Sequence, residues 1–189
     1  MNDLKAWLPE IGEGKLRMDT PTSDDELLAL HRLCQSDPHR YLAIMTERIT
    51  KNPQDSNAYF SRHYGWLKTG QPKIALDDIN RVIQLDPSEV AYTCRAKLYR
   101  HLGDHRKALE DYERVEHESP ELWREDWMSL LYQADSYARI GDLTDALRCW
   151  QQLPDDVWTP GPNGAPGGNK TQIHEELLRL AAEAREENR

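Results

Sequence analysis

The sequence predicts an all-α protein, built as a right-handed solenoid of helical hairpins. Two observations carry this prediction. Residues 56–87 and 89–120 share one pattern at an offset of 33 residues, most visibly at Gly70 and Gly103. A period in this range, marked by small, aromatic and proline residues, is typical of stacked helical hairpins. The composition also favours helices, since the chain has one Phe and is rich in Ala, Leu, Glu and Arg.

The first elements form an irregular segment and then a hairpin. Residues 1–21 are predicted to be irregular, because Pro and Gly interrupt their apolar spacing. Ser23 and Glu26 have the spacing of a capping box, in which each side chain bonds a free backbone N–H, and this predicts a helix to about Gln35. A second helix is predicted to start at Pro38. We interpret this pair as a degenerate first hairpin that caps the array.

Three further hairpins share a set of signature positions. In the first copy these are Tyr59, Trp66, Gly70, Ala75, Ile79, Val82 and Pro87. In the second they are Tyr92, Ala96, Tyr99, Gly103, Ala108, Tyr112, Val115 and Pro120. In the third they are Leu130, Ala134, Tyr137, Gly141, Ala146, Trp150 and Leu153. Glycine permits the left-handed backbone that ends the first helix, and the aspartate that follows it can cap the second.

These positions resemble the tetratricopeptide repeat, a helical hairpin of about 34 residues. The first copy departs from that family's pattern at His63, where a small residue is usual. Either the helices of this hairpin cross more widely, or His63 points outwards. Between the second and third copies, five residues are extra. We interpret them as an N-terminal extension of the third copy's first helix, carrying Trp123 and Trp127. These tryptophans either cover the neighbouring hairpin, which we favour, or form an exposed apolar patch for a partner.

The C-terminal part differs in character. Residues 154–170 hold four prolines and four glycines and are predicted to form a disordered linker without regular structure. A last helix is predicted from Thr171, with an apolar stripe and a polar outer face, as expected of a helix that caps an array. The predicted organisation is an irregular segment 1–21, a helical array 22–153, a Pro/Gly-rich loop 154–170 and a capping helix 171–189.

Composition excludes several classes of partner. The 189 residues have a formal net charge of −9 and a pI near 5.3. Phosphate binding needs a cluster of Lys and Arg, and the sequence has no such block, so we expect no nucleic-acid partner. Because no apolar run approaches the ~20 residues of a membrane helix and no secretory pattern is seen, we expect a cytoplasmic protein without a membrane partner. The three cysteines form no CxxC pair and are expected to be buried apolar side chains.

Two features approach catalytic or metal motifs. Residues 164–171 differ at Asn169 from the phosphate loop G-x-x-x-x-G-K-[ST], and no predicted strand precedes them. His101 and His105 have the spacing of a helical metal pair, but the predicted turn at Gly103 separates them. We therefore expect no catalytic residue, no cofactor and no metal.

The family resemblance indicates where a partner would bind. In similar proteins the first helices of successive hairpins line a concave groove that holds a ligand peptide. The predicted partner-binding residues are Asn57, Phe60, Tyr64, Lys97, Arg100, Met128, Tyr132 and Arg139. Phe60 and Tyr64 indicate an apolar pocket beside the basic pair Lys97 and Arg100, which a peptide with an apolar anchor and an acidic neighbour would complement. Alternatively, Phe60 and Tyr64 pack on the preceding degenerate hairpin.

Some members of the family hold the C-terminal carboxylate of chaperone tails through a clamp of Lys and Asn. The corresponding positions here are Phe60, Tyr64, Cys94, Met128 and Tyr132. Because these side chains cannot form the clamp, we do not expect chaperone-tail binding.

The functional prediction is a non-enzymatic protein-interaction module that acts as a small adaptor or scaffold. A stoichiometric inhibitor, such as a toxin-neutralising immunity protein, is an alternative that the sequence does not separate from it. A nucleotide- or metal-dependent enzyme built on residues 164–171 or on the histidines is a further alternative. Self-association through Trp7, Trp123 or Trp127 is a third, although nothing in the pattern specifically indicates a homo-oligomer. The acidic balance favours a basic partner.

Overall fold

A computed structural model describes residues 24–161 and 164–187. The expectations for residues 1–21 and for the Ser23–Glu26 capping box lie outside the described residues. The described helices are α1 Asp24–Ser36, α2 Pro38–Lys51, α3 Ser56–Lys68, α4 Pro72–Leu85, α5 Glu89–His101, α6 His105–Glu118, α7 Pro120–Glu125, α8 Trp127–Arg139, α9 Leu143–Gln151 and α10 Lys170–Glu187. Two strands, β1 Trp158–Thr159 and β2 Gly168–Asn169, form an antiparallel pair. The predicted all-α architecture of sequential helical hairpins is confirmed.

The described chain divides into two compact units, one ending at Ala91 and the other starting at Tyr92. The N-terminal unit contains α1 to α4, which pack in sequence as neighbours. The C-terminal unit contains most of α5 and all later elements, with α8 packed against α6, α9 and α10. None of the described helices is long and apolar enough to cross a membrane.

In the N-terminal unit, α2 and α3 approach closely at a glycine. A Cβ atom added to Gly65 would lie 2.7 Å from Leu42 Cδ2, closer than side chains pack. The neighbouring core contains Cys34, Tyr41 and Met45. His63 is buried with an exposed fraction of 2%. The expectation that His63 points outwards is therefore wrong.

A bidentate ion pair recurs in the two regular copies. In the N-terminal unit, Arg62 donates to Asp78 through Nε at 2.9 Å and Nη2 at 2.6 Å. In the C-terminal unit, Arg95 donates to Asp111 at 2.8 and 2.7 Å. Both pairs join the first helix of a hairpin to the second. In the third copy an uncharged bond takes this place, since Cys149 Sγ donates to the Oε1 atom of the buried Gln133 at 3.2 Å.

The extra residues of the third copy form a separate helix. α7 ends at Glu125, and Asp126 caps α8 by accepting a bond from the Ser129 backbone N at 3.0 Å. The predicted continuous extension is therefore wrong, because Asp126 has a non-helical backbone and its carboxylate satisfies the start of a new helix. Trp123 is buried, with its ring centroid 5.6 Å from that of Tyr112 on α6, so it covers the neighbouring hairpin. Trp127 is half-buried.

The Pro/Gly-rich segment contains regular structure. Trp158 pairs with Asn169 and Thr159 pairs with Gly168 in the short β1–β2 ladder. Gly168 has a φ of +98°, which an L side chain rarely adopts. The prediction of a linker without regular structure is therefore wrong for the described residues, because its glycines permit a tight return of the chain. The segment leads into α10, which packs on α8 and α9 and buries the predicted apolar stripe. The buried residues of that stripe are Ile173, Leu177, Leu180 and Ala184.

Candidate functional site

In the N-terminal unit, the predicted partner-binding residues lie on α3. Asn57, Phe60 and Tyr64 are all half-buried. Tyr64 packs against the core cluster of Cys34, Tyr41 and Met45, so the alternative interpretation holds for this residue. Phe60 contacts Tyr64 edge-on, with 5.5 Å between ring centroids. The α3 face thus offers the edge of an aromatic cluster.

His63 completes that cluster without adding charge. Its ring centroid lies 3.9 Å from that of Tyr64, and its Nδ1–H donates to the Phe60 carbonyl. Burial lowers the pKa of His63 to about 4, partly opposed by that hydrogen bond. The imidazole is therefore neutral near pH 7, and the cluster as a whole is uncharged.

In the C-terminal unit, the predicted residues lie on α5 and α8 and surround a buried carboxylate. Asp135 has no exposed area, and Arg139 Nε donates to its Oδ1 at 2.8 Å. The Nε atom of Arg100 lies 3.4 Å from Asp135 Oδ2. Burial raises the pKa of Asp135, and the two guanidinium groups oppose that rise. One carboxylate is therefore shared by two arginines from different helices.

Arg100 and Tyr132 lie below the surface. The side chain of Arg100 is 5% exposed, and its Cζ lies 4.4 Å from the centroid of the Tyr132 ring. Tyr132 is 2% exposed. These two residues are therefore positioned to support the surface, whereas Lys97 and Met128 are half-buried and Arg139 is exposed.

The face formed by α5 and α8 has an excess of positive charge. Lys97 Nζ lies 5.8 Å from the Tyr132 ring, which Arg100 also contacts, while Arg100 and Arg139 pair with the single Asp135 carboxylate. His105 lies in the same field. Desolvation, followed by Arg139 and Arg100, lowers its pKa to about 4. In a chain of net charge −9, this face is locally cationic.

The segment resembling a phosphate loop is arranged differently from such a loop. Lys170 Nζ lies 2.6 Å from the Leu153 carbonyl oxygen and 2.8 Å from Asp155 Oδ1. The backbone N–H of Asn169 donates to Gln172 Oε1. Phosphate binding requires a free lysine and free backbone N–H groups at the helix start, and these groups are bonded within the protein.

The histidine pair is split between two helices. His101 ends α5 and His105 begins α6, so the two rings do not share one helix face. Across the part of the chain that the structure describes, no group of three or more His, Cys, Asp or Glu side chains is arranged to hold a metal ion.

Residues 128–156, which contain α9 and all of α8 after its first residue, match the family model described as Tetratricopeptide repeat. The chain contains a tetratricopeptide repeat. The match covers the third copy, and the first and second copies have the same Gly-turn hairpin design. Tetratricopeptide arrays are helical solenoids that typically present surfaces for protein binding and are usually non-catalytic.

Solved structures show the same fold. A crystal structure of MamA aligns with 89% of this chain over 98% of the MamA chain, with a TM-score of 0.61 and 12% sequence identity. Another, a crystal structure of MamA protein, aligns with 68% of this chain over 71% of its own length, with a TM-score of 0.56 and 18% sequence identity. The structure of MamA MSR-1 C2 covers 66% and 70%, with a TM-score of 0.56 and 13% identity. At these identities the likeness shows a tetratricopeptide-like fold alone. A comparison with curated proteins finds no match.

Sequence reasoning did not assign a role to Asp135. One signal was present, since Asp135 and Arg139 are four residues apart and therefore face each other on a helix. The ion pair between Arg100 and Asp135 had no such signal, because these two residues belong to different hairpins. The recurring Arg–Asp pairs were also missed, although the same 33-residue offset relates Arg62 to Arg95 and Asp78 to Asp111.

Proposed function

We propose that this chain is a non-enzymatic protein-interaction module, a small adaptor or scaffold that binds a partner peptide on the first-helix faces of its hairpins. In the C-terminal unit the binding surface is the cationic face of α5 and α8. In the N-terminal unit it is the α3 face with Asn57 and Phe60. The observation that carries the proposal is the pairing of Arg100 and Arg139 with one buried carboxylate, with Lys97 close to the Tyr132 ring that Arg100 contacts.

The chemistry of this cluster favours an acidic residue on the partner. Asp135 balances one of the three positive charges, and Arg100 is buried against it. The remaining charge is carried to the surface by Lys97 and by Arg139, whose side chain is 34% exposed. A partner carboxylate can accept a bond from either group, and charge-assisted bonds of this kind are stronger than neutral ones. The half-buried Met128 on α8 supplies an adaptable apolar contact.

The experiment begins with the purified chain as bait. Captured proteins are identified by mass spectrometry, and the purified partner is then titrated by calorimetry against wild-type protein and Lys97→Glu. Lys97 is suitable because, within the described residues, its side chain is in contact with the Tyr132 ring and forms no ion pair. We expect the reversal of charge to weaken binding about tenfold, or ~1.4 kcal/mol. Affinity should also fall with added salt.

Arg106→Glu is the matched control. Arg106 is exposed on α6, the second helix of its hairpin, and the substitution changes the net charge by the same amount. We expect it to change affinity less than about twofold, as for a charge away from the contact surface. If both variants weaken binding equally, overall charge rather than this face explains the effect, and the proposed site is wrong. Arg100→Glu is not a clean probe, because it would place two carboxylates together in the interior.

A further inference from the structure

Trp158 is a large aromatic side chain that the fold leaves in solvent. It is 69% exposed, whereas its neighbours Val157 and Thr159 are 6% and 1% exposed. A surface tryptophan is uncommon without a role, since it is among the residues most enriched at the centres of binding sites. The buried side chains of Val157 and Thr159 therefore anchor the chain on either side of Trp158, while the Trp158 indole projects into solvent.

Several bonds hold the segment around Trp158 in place. The β1–β2 ladder pairs Trp158 with Asn169. Lys170 Nζ bonds the Leu153 carbonyl and Asp155, and Arg139 Nη2 donates to the Gly164 carbonyl at 2.8 Å. Fixing the backbone of a contact residue before binding reduces the entropy lost when a partner is bound. The backbone position of Trp158 is therefore preorganised.

Beside the indole lies an open cavity of about 490 Å³. Its walls combine apolar side chains, among them Trp158, Pro160, Ala165 and Pro166, with polar groups that include Gln172. Of the described residues that line it, Glu176 alone is charged. An aromatic face, apolar side chains in the wall and one carboxylate together match the two parts of a long basic side chain. The aliphatic stem packs on the wall, and the cation contacts the indole face and the carboxylate.

Glu176 retains the capacity for such a contact. Its two oxygens accept bonds from Arg179, and a carboxylate offers about four acceptor positions in all. Arg179 is also paired with Glu183, so this group of three keeps a net negative charge. Across residues 154–187 the sequence has seven acidic and three basic side chains, a formal charge of −4. Arg139 of α8 adds one positive charge beside this segment, and the negative charge that remains attracts a cation.

We propose that the Trp158–Glu176 cavity binds a Lys or Arg side chain of a basic partner protein. This surface adjoins the cationic face of α5 and α8 at Arg139, but none of the described residues that line the cavity belongs to that face, so the inference goes beyond the proposed function. It gives the adaptor a second recognition site, which binds a basic residue, whereas the cationic face binds an acidic one. A partner that carries both an acidic and a basic anchor could occupy both, because Arg139 bonds Asp135 on one side and the Gly164 carbonyl on the other.

The test uses three synthetic peptides that differ at one position. They are acetyl-Gly-Ser-Xaa-Ser-Gly-amide with Arg, norleucine or Glu at Xaa, and each is titrated into the full ¹⁵N-labelled chain. The Trp158 indole N–H signal, assigned among the six tryptophans by its loss in Trp158→Leu, is followed by NMR. We expect saturable shifts with the Arg peptide, with a dissociation constant of ~1 mM. The norleucine peptide has a similar stem without the charge and should bind about fivefold more weakly. The Glu peptide should give no saturation.

Matched variants separate this site from general charge. Glu176→Gln should weaken the Arg peptide about threefold. Glu175→Gln, an equal change of charge at an exposed neighbour that does not line the cavity, should have no effect. Trp158→Leu keeps an apolar side chain but lacks the indole signal, so its titrations are followed by backbone amide shifts, and the preference for Arg over norleucine should be reduced. Equal binding of Arg and norleucine, equal effects at positions 175 and 176, or an unperturbed indole signal would each overturn the proposal. Lys97→Glu should bind the Arg peptide normally, so the two proposals fail independently.

Discussion

Replacing Asp111 with Ala removes the acceptor of the ion pair that joins α5 to α6. The Asp111 side chain is 5% exposed and that of Arg95 is 23% exposed. Breaking a fully buried pair from one side costs about 3–5 kcal/mol, because a buried charge is left without a partner. Arg95 also lies over the Tyr92 and Tyr99 rings, at 5.5 and 5.8 Å, which hold the guanidinium in place. Since part of Arg95 already reaches water, we expect Asp111→Ala to lower the free energy of unfolding by about 2–3 kcal/mol.

The double variant Arg95→Met with Asp111→Leu tests this reasoning. Replacing both partners of a buried pair with apolar side chains of similar volume is often neutral or stabilising. The third copy supports this expectation, since Gln133 and Cys149 occupy the equivalent place without a charge. We therefore expect the double variant to recover most of the lost stability.

The assay is urea unfolding followed by circular dichroism at 222 nm. The slope of the free energy of unfolding against urea concentration should be the same for all variants, so that their unfolding midpoints can be compared. Glu110→Ala, at the exposed neighbouring position, is the control and should stay within about 0.5 kcal/mol of wild type. A loss below about 0.5 kcal/mol for Asp111→Ala, or a double variant as unstable as the single one, would refute the argument.

Three further predictions concern stability. Between pH 6.5 and 4, His63 should lower the free energy of unfolding by about 3 kcal/mol, because its unfolded imidazole binds a proton that the native one, with a pKa of about 4, does not. His105, whose pKa is also about 4, adds to the same fall. His63→Gln should therefore reduce the slope in urea titrations without abolishing it, and an unchanged slope would contradict the assignment. Gly65→Ala should lower the melting temperature, because overpacking against Leu42 costs about 1–3 kcal/mol and this cost exceeds the gain in helix propensity. A higher melting temperature would show that Leu42 and α2 move aside to accommodate the methyl group. Gly103→Ala should lower the free energy of unfolding by about 1 kcal/mol through backbone strain alone, because φ is +83° and the added Cβ meets no atom within 4 Å. Gly103→Asn should lower it by less in the same urea assay, because Asn tolerates this backbone conformation better. Equal losses of stability for the two variants would point to another cause.

Local features of the hairpins could be predicted because they depend on neighbouring residues. Gly70, Gly103 and Gly141 adopt the left-handed backbone that their place after a first helix requires. Asp104 and Asp142 cap the following helices, as expected from their position directly after these glycines. The same local reasoning failed at Asp126, where the sequence predicted one continuous helix and the structure has α7 ending and α8 starting. The apolar residues keep helical spacing on both sides of Asp126, so the spacing does not reveal the break.

The candidate site could be predicted only in part. The sequence places Lys97, Met128 and Arg139 on first helices, but it does not tell which side chains the neighbouring helices cover. Arg100 and Tyr132 have the same spacing and lie buried. Covering depends on how helices pack across hairpins, and that packing is set by contacts between residues far apart in sequence.

The sequence by itself determined the helical class, the hairpin period and the turn glycines, because these follow from spacing and backbone preference within about 34 residues. The tertiary structure alone decided that two arginines share Asp135, that the Pro/Gly-rich segment closes into a ladder and that Trp158 remains exposed between two buried neighbours. The physical reason is that charge pairing and solvent exposure depend on which surfaces meet, and the residues that meet there are separated by many positions in the chain.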